Sequence, residues 1–132
     1  MQEKEQETVQ DGGDGGMIIA VDFDGTLCAN RWPDIGPPRD GVVKYVRQQQ
    51  QNGARLILWT NRRDERLDEA VAWCREQGIT FDAVNENLPE IVERFGGDCR
   101  KVFANVYLDD RAMVPEEAER RSRFARTVRR GR

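Results

Sequence analysis

The chain has 132 residues, with 21 Lys and Arg against 24 Asp and Glu, a net charge of −3 at pH 7 and no histidine. That length holds one compact domain and not two, and no stretch approaches the ~18 apolar residues that span a bilayer. Without histidine the commonest general base and transition-metal ligand are missing, so proton transfer and metal contacts fall to carboxylates, Lys, Arg and Tyr.

Residues 1–16 (MQEKEQETVQDGGDGG) are acidic and glycine-rich, bury little apolar surface and are expected to form a disordered leader. This start lacks the basic flank and apolar core of a signal sequence, so a soluble, cytoplasmic protein without a membrane partner is expected. Its "DGGDGG" precedes the first strand, and no Gly-Lys-Ser/Thr follows it, which rules out a phosphate-cradling loop. Met17 to Phe23 is a continuous apolar run, as in a strand covered on both faces. A proline-rich loop, "NRWPDIGPP", comes next. "DGVVKYVRQQQQNG" then reads as a helix with Val42, Val43 and Val46 inward and Gly53 just past its end.

Leu56 to Trp59 is a second buried strand. "DERLDEAVAWCREQG" sets Leu67, Ala70, Val71 and Cys74 at helical spacing and stops at Gly78. "FDAVNEN" is a short extended piece with a polar loop, Pro89 opens a short helix ending near Gly96 and Gly97, and Ala104 to Leu108 forms a further strand running into Asp109 and Asp110. A final helix begins around Pro115, and the chain closes on the basic "RRSRFARTVRRGR". Arg-rich ends pair with phosphate in a sequence-blind, salt-dependent way, or simply form a solvated helix face. Cys28, Cys74 and Cys99 are odd in number and form no CxxC, so buried or partly buried thiols are expected instead of disulfides or a zinc site.

Strands separated by helices imply an α/β fold with a doubly wound parallel sheet in three α/β/α layers. The leader, the core (17–115) and a C-terminal helix with basic tail (116–132) divide the chain. In such sheets ligands bind beyond the carboxyl ends of the strands. Three strands here end in polar residues: Asp22 and Asp24, then Thr60, Asn61 and Arg62, then Asp109 and Asp110. Residues i and i+2 of a strand share a face, so Asp22 and Asp24 are expected to approach one another unless Gly25 bends the chain there. Carboxylates so gathered repel until a proton or cation relieves them, and an all-oxygen set suits Mg²⁺. A calcium loop fails on spacing, because Gly25 is fourth from Asp22 where such a loop needs glycine sixth.

The combination "DFDGT", "LWTNR" and "KVFANVYLDD" resembles the haloacid dehalogenase (HAD) superfamily of phosphatases and phosphotransferases, whose Rossmann-like core the resemblance implies over Asp22 to Asp110. It implies Asp22 as the nucleophile that becomes an aspartyl phosphate, Asp24 as general acid and then base, Thr60 as a donor to phosphate, and Lys101 as the cation holding the phosphoryl charge. Arg100 is the alternative to Lys101. Mg²⁺ would be held by Asp22, the Asp24 backbone carbonyl, and Asp110 or Asp109. Asn61, Gly25 and Arg62 are the candidate substrate contacts, Arg62 through a bidentate bond to phosphate. "NENLP" supplies either substrate contacts through Asn85, Glu86 and Asn87 or an ordinary turn, and Trp32 either walls the rim or packs on the body.

Neither interval, Asp24 to Thr60 or Thr60 to Lys101, has room for a folded cap domain. The resemblance is to small, capless hydrolases with an open site. The implied activity is Mg²⁺-dependent hydrolysis of a phosphate monoester, with a phosphorylated small molecule or a nucleic-acid end as substrate and a homo-oligomer as one way of enclosing it. Polynucleotide 3′-phosphatase activity is one alternative. A catalytically silent phosphate- or nucleic-acid-binding module on the same fold is the other.

Overall fold

A computed structural model describes residues 16–130. The 1–16 leader thus lies outside the described residues except for Gly16, as do the last two residues of the basic tail. The first strand, β1 (Ile18–Val21), is apolar at every position and buried on both faces. It is flanked by β4 (Arg55–Leu58) and β6 (Val106–Leu108), and β5 (Ala83–Val84) adds outside β4. The order is β5-β4-β1-β6, and every pairing is parallel.

The side-chain period of two sends alternate residues to opposite faces. Ile19, Val21, Leu56 and Leu58 pack with Val43 and Val46 of α1 (Asp40–Gln51) and with Ala70 and Cys74 of α2 (Asp64–Glu76). Ile18, Ala20 and Ile57 pack instead with Leu88, with Ile91 of α3 (Pro89–Phe95), and with Val102 and Ala104. The result is an α/β fold with a hydrophobic cluster on each side of one sheet. Each large apolar side chain in these clusters contributes about 1.5–3 kcal/mol by leaving water. A fourth helix, α4 (Pro115–Arg130), follows β6, and Glu117 in its first turn accepts from Arg120 and Arg121.

The register decides where the strands stop. Val21 pairs with Leu58 and with Leu108, and Leu58 pairs with Val84, so all four strands end level. At the opposite edge two polar residues start the ladders. Asn105 takes the Ile18 amide on its Oδ1 (2.7 Å) while its own amide donates to the Ile18 carbonyl. Asp82 does the same for Leu56, with Oδ2 at 2.8 Å from the amide. These side chains satisfy the strand-end groups that would otherwise be left over.

Three sequence expectations are corrected. The strands are shorter than the apolar runs suggest: Met17 and Phe23, Trp59, and Ala104 with Asn105 fall outside β1, β4 and β6. Apolarity persists past the ladder because Met17, Phe23, Trp59 and Ala104 still face a core. The proline-rich loop is a hairpin, β2 (Cys28–Arg31) paired antiparallel with β3 (Asp34–Pro38) through Trp32 and Pro33, whose peptide is cis. Prolines are tolerated there because a two-stranded ribbon consists only of edges, and Gly36 is required because a Cβ would strike the Ala29 carbonyl. Finally, Cys28 and Cys74 are buried but Cys99 is exposed. Burial pushes the Cys74 thiol up to about 12 and raises Cys28 as well, which makes both poor nucleophiles. Among the described residues no helix is long and apolar enough to cross a membrane.

Candidate functional site

Because the four parallel strands end level, the residue that follows each emerges on one rim: Asp22 after β1, Trp59 after β4, Asn85 after β5 and Asp109 after β6. All four line one cleft of about 380 Å³, joined by Thr60, Asn61 and Arg100. Three of these exits are fastened by a last backbone rung, from the Asp22 amide to the Leu108 carbonyl (2.9 Å), the Trp59 amide to Val21 (2.9 Å) and the Asn85 amide to Leu58 (2.8 Å).

Carboxylate oxygens of Asp22, Asp109 and Asp110 all lie within 4.8 Å of one another. Thr26 ties this cluster together. Its hydroxyl proton goes to Asp22 Oδ2 at 2.9 Å, with Asp110 Oδ1 at 3.3 Å, and its oxygen accepts the Asp110 amide at 3.0 Å. Gly25 makes room for it: φ is +91°, and a Cβ would lie 2.9 Å from the Asp110 carboxylate carbon. Asp109 is oriented separately, its Oδ1 accepting the Arg111 amide at 2.8 Å. Burial pushes the Asp22 carboxyl up; the Thr26 hydroxyl opposes this, and the negative charges of Asp109 and Asp110 add to it, leaving a pKa of about 6. A three-carboxylate set with no thiolate or imidazole fits a hard, oxygen-seeking divalent cation such as Mg²⁺, which would relieve the same repulsion.

Asp24 does not join this cluster. Both of its carboxylate oxygens accept from Arg62, at 2.8 Å from Nε and 2.8 Å from Nη2, in a bidentate pair. The turn over Gly25, closed by the Gly25 amide on the Cys28 carbonyl (2.8 Å), ends the strand geometry that would have kept Asp22 and Asp24 on one side. Arg62 is therefore placed differently from the phosphate contact expected of it. It is 2 % exposed, holds Asp24 and the Asp34 carbonyl, and lies 5.0 Å from both the Phe23 and Trp32 rings. The guanidinium fastens the β2–β3 hairpin to the sheet rim.

Thr60 lines the cleft with its amide held by Asn85 Oδ1 at 2.8 Å and its hydroxyl oxygen accepting the Arg62 amide at 3.1 Å. The hydroxyl proton stays available to a bound anion. Lys101 does not line the cleft; its ammonium lies 5.8 Å over the Tyr107 ring, and Arg100 is the cation on the cleft wall. In the "NENLP" loop, Asn85 faces the cleft and Glu86 is exposed. Asn87 is buried as a staple, bonding the Asp98 carboxylate (2.8 Å), the Cys99 carbonyl (3.2 Å) and the Phe103 amide (2.6 Å). Among the described residues two non-glycine residues have positive φ, Asn85 (56°) on the wall of this cleft and Asp64 (54°) at the first position of α2. Strained backbone of this kind concentrates where surrounding structure holds a functional geometry. Of the residues that gather here, Thr26 was not singled out from the sequence. The signal was present in its place, two after Asp24 in an acid-rich turn.

No protein-family model matches the sequence, and no curated protein matches it. Among solved structures the chain is similar to the conserved protein coded by a locus of Bacteroides thetaiotaomicron. The two are 44% identical, the match covers 75% of this chain and 81% of that one, and the TM-score is 0.66. The chain belongs to that protein's family. Within the family, this chain's acids, Gly25 turn and cleft stand on an α/β core with a parallel four-stranded sheet.

Proposed function

We propose that the chain is a capless phosphohydrolase of the haloacid dehalogenase type, with a doubly wound core, that hydrolyses a phosphate monoester with Mg²⁺ as cofactor. The observation that carries this reading is the meeting of Asp22, Asp109 and Asp110 at the mouth of a cleft whose other walls carry Thr60, Asn61 and Arg100. Asp22 and Asp109 both line that cleft, and Asp22, on the central strand, is the carboxylate assigned to attack. In the reaction, an Asp22 oxygen bonds to phosphorus, the ester P–O bond breaks, and the leaving oxygen takes up a proton. Water then cleaves the aspartyl phosphate, returning the Asp22 carboxylate and inorganic phosphate. The Thr60 hydroxyl and Arg100 meet the phosphoryl oxygens, and Asp22, Asp109 and Asp110 would hold the cation. When bound, Mg²⁺ supplies positive charge against both the carboxylate cluster and the phosphoryl group.

Asp24, as the proton carrier to the leaving oxygen, starts with both oxygens engaged by Arg62, so one of those bonds opens as the proton moves. That same pair favours a second reading, in which the chain binds phosphate without hydrolysing it. Hydrolysis of p-nitrophenyl phosphate by the full chain with Mg²⁺ separates the two. Turnover that falls by about 10³ or more in Asp22→Asn is the expected result. Clean, folded protein that turns over nothing in a broad panel of phosphate monoesters leaves only the binding module.

A further inference from the structure

The cleft over Asp22 does not end at Asn61. The same residue lines two further clefts, one of about 220 Å³ with Asp24, Asn30, Trp32 and Arg62, and one of about 480 Å³ with Trp32, Arg63, Asp64, Glu65 and Arg66. The three spaces therefore meet at Asn61, with the acidic cluster on one side and Trp32 on the other. Trp32 sits at the tip of the β2–β3 hairpin and the residue is 58% exposed, yet it is fixed in place, because the buried Arg62 guanidinium lies 5.0 Å from the ring centroid. An exposed indole held by a buried cation and bordered by cleft space is a stacking platform. The edges of the platform are polar: Asn30, whose Oδ1 accepts the Trp32 amide at 3.2 Å, and the exposed Asn61 both line the smaller cleft. A purely hydrocarbon ring has no use for such groups, whereas a nucleobase presents donors and acceptors along its edge.

We infer that the leaving group of the substrate is a nucleoside, stacked on Trp32 while its phosphate occupies the cleft at Asp22. The inference rests on the phosphohydrolase reading for the phosphate end and on Trp32 and Asn61 for the other. Base stacking on an aromatic side chain is tolerant of base identity, so a class of nucleotides is selected and not one base. A free mononucleotide and the phosphorylated end of an oligonucleotide share this chemistry.

The test uses the full chain with Mg²⁺ and compares adenosine 5′-monophosphate with glycerol 3-phosphate, which has a phosphate and no ring. The wild-type chain is expected to favour the nucleotide at least about ten-fold in kcat/KM, with the preference residing in KM. Trp32→Ala should erase most of that ratio, and Trp32→Phe, which keeps a ring, should restore it. A ratio near one in the wild type, or one unchanged in Trp32→Ala, overturns the inference while leaving the phosphohydrolase reading standing. Equilibrium dialysis of the nucleotide covers the opposite case. Trp32-dependent binding without turnover of any ester sinks the hydrolase reading and keeps the platform, and absence of both ends the two together. Adding a 3′-phosphorylated oligonucleotide distinguishes the sources, since either substrate supports the inference if its preference follows Trp32.

Discussion

Asp22 and Asp24 leave the same strand two residues apart, yet the first faces two other carboxylates across an open cleft and the second is gripped by a buried guanidinium between two aromatic rings. Gly25, just past both, accounts for the divergence: it turns the chain so that period-two geometry no longer applies. One carboxylate is left with unrelieved like charge and the other with a full complement of donors. Asp22 is destabilised in its charged form and suited to meet a cation and an electrophile, while Asp24 and Arg62 together hold the hairpin in place.

The largest expected effect tests the second half of that contrast. Arg62→Ala leaves Asp24 without its donors and opens a hole between Phe23 and Trp32. With side-chain exposures of 1% and 18% the pair is largely out of water, and breaking such a pair from one side costs about 3 kcal/mol. In urea unfolding, Arg62→Ala should be less stable than the double variant Asp24→Asn/Arg62→Met, which removes both charges. If the single and double variants unfold at the same urea concentration, the pair contributes nothing specific.

A smaller effect is expected at the turn. Gly25→Ala places a Cβ at φ +91° against the Asp110 carboxylate, a strain of about 1–3 kcal/mol. Beyond lowering the melting temperature, the substitution should weaken the stabilisation by Mg²⁺ more than it weakens the metal-free fold, because it displaces one of the three acids. An undiminished Mg²⁺ shift would mean that Asp110 takes no part in holding the ion.

The third prediction concerns pH and is the most modest. The folded-state pKa of Asp22 is raised from 3.8 to about 6, so the folded chain holds a proton that the unfolded chain has already lost between those values. Its contribution to stability is fully present below 3.8 and disappears as pH rises through about 6. Without divalent cation the melting temperature should therefore decline over this window, and Asp22→Asn should flatten the decline. Added Mg²⁺ competes with the proton, so the upward shift it produces should grow from pH 5 to pH 7.5 in differential scanning fluorimetry. A Mg²⁺ effect independent of pH would disconnect the ion from Asp22.

Much of this was legible in the residues themselves. "MIIAVDF", "LILW" and the helices between them announce buried parallel strands and crossovers, and Gly53, Gly78 and Gly96 mark the helix ends within a residue or two. The strand-end acids could be read as one rim because parallel register makes neighbouring strands finish together. What could not be read is where a long side chain spends its charge. Arg62 follows Thr60 closely enough to touch an anion, but only the folded hairpin reveals that Asp24 and the Asp34 carbonyl reach it first. Lys101 and Arg100 are adjacent cations, and a local turn decides which of them faces the cleft. The hairpin was hidden by its prolines, which argue against a strand in a sheet interior but not in a ribbon made of two edges. Asn87 reads as turn chemistry, and its buried contacts depend on Asp98, Cys99 and Phe103, more than ten residues away.

The three rungs that fasten the exits of β1, β4 and β5 run between main-chain atoms, so no side-chain replacement abolishes them directly. The acids hang from a frame as firm as the hydrophobic interior, while Trp32 and Asn61 ride on a ribbon and a bend above it. Drift in those outer positions is free to retune what is gripped at the far end of the cleft without disturbing the oxygens that meet at the sheet rim.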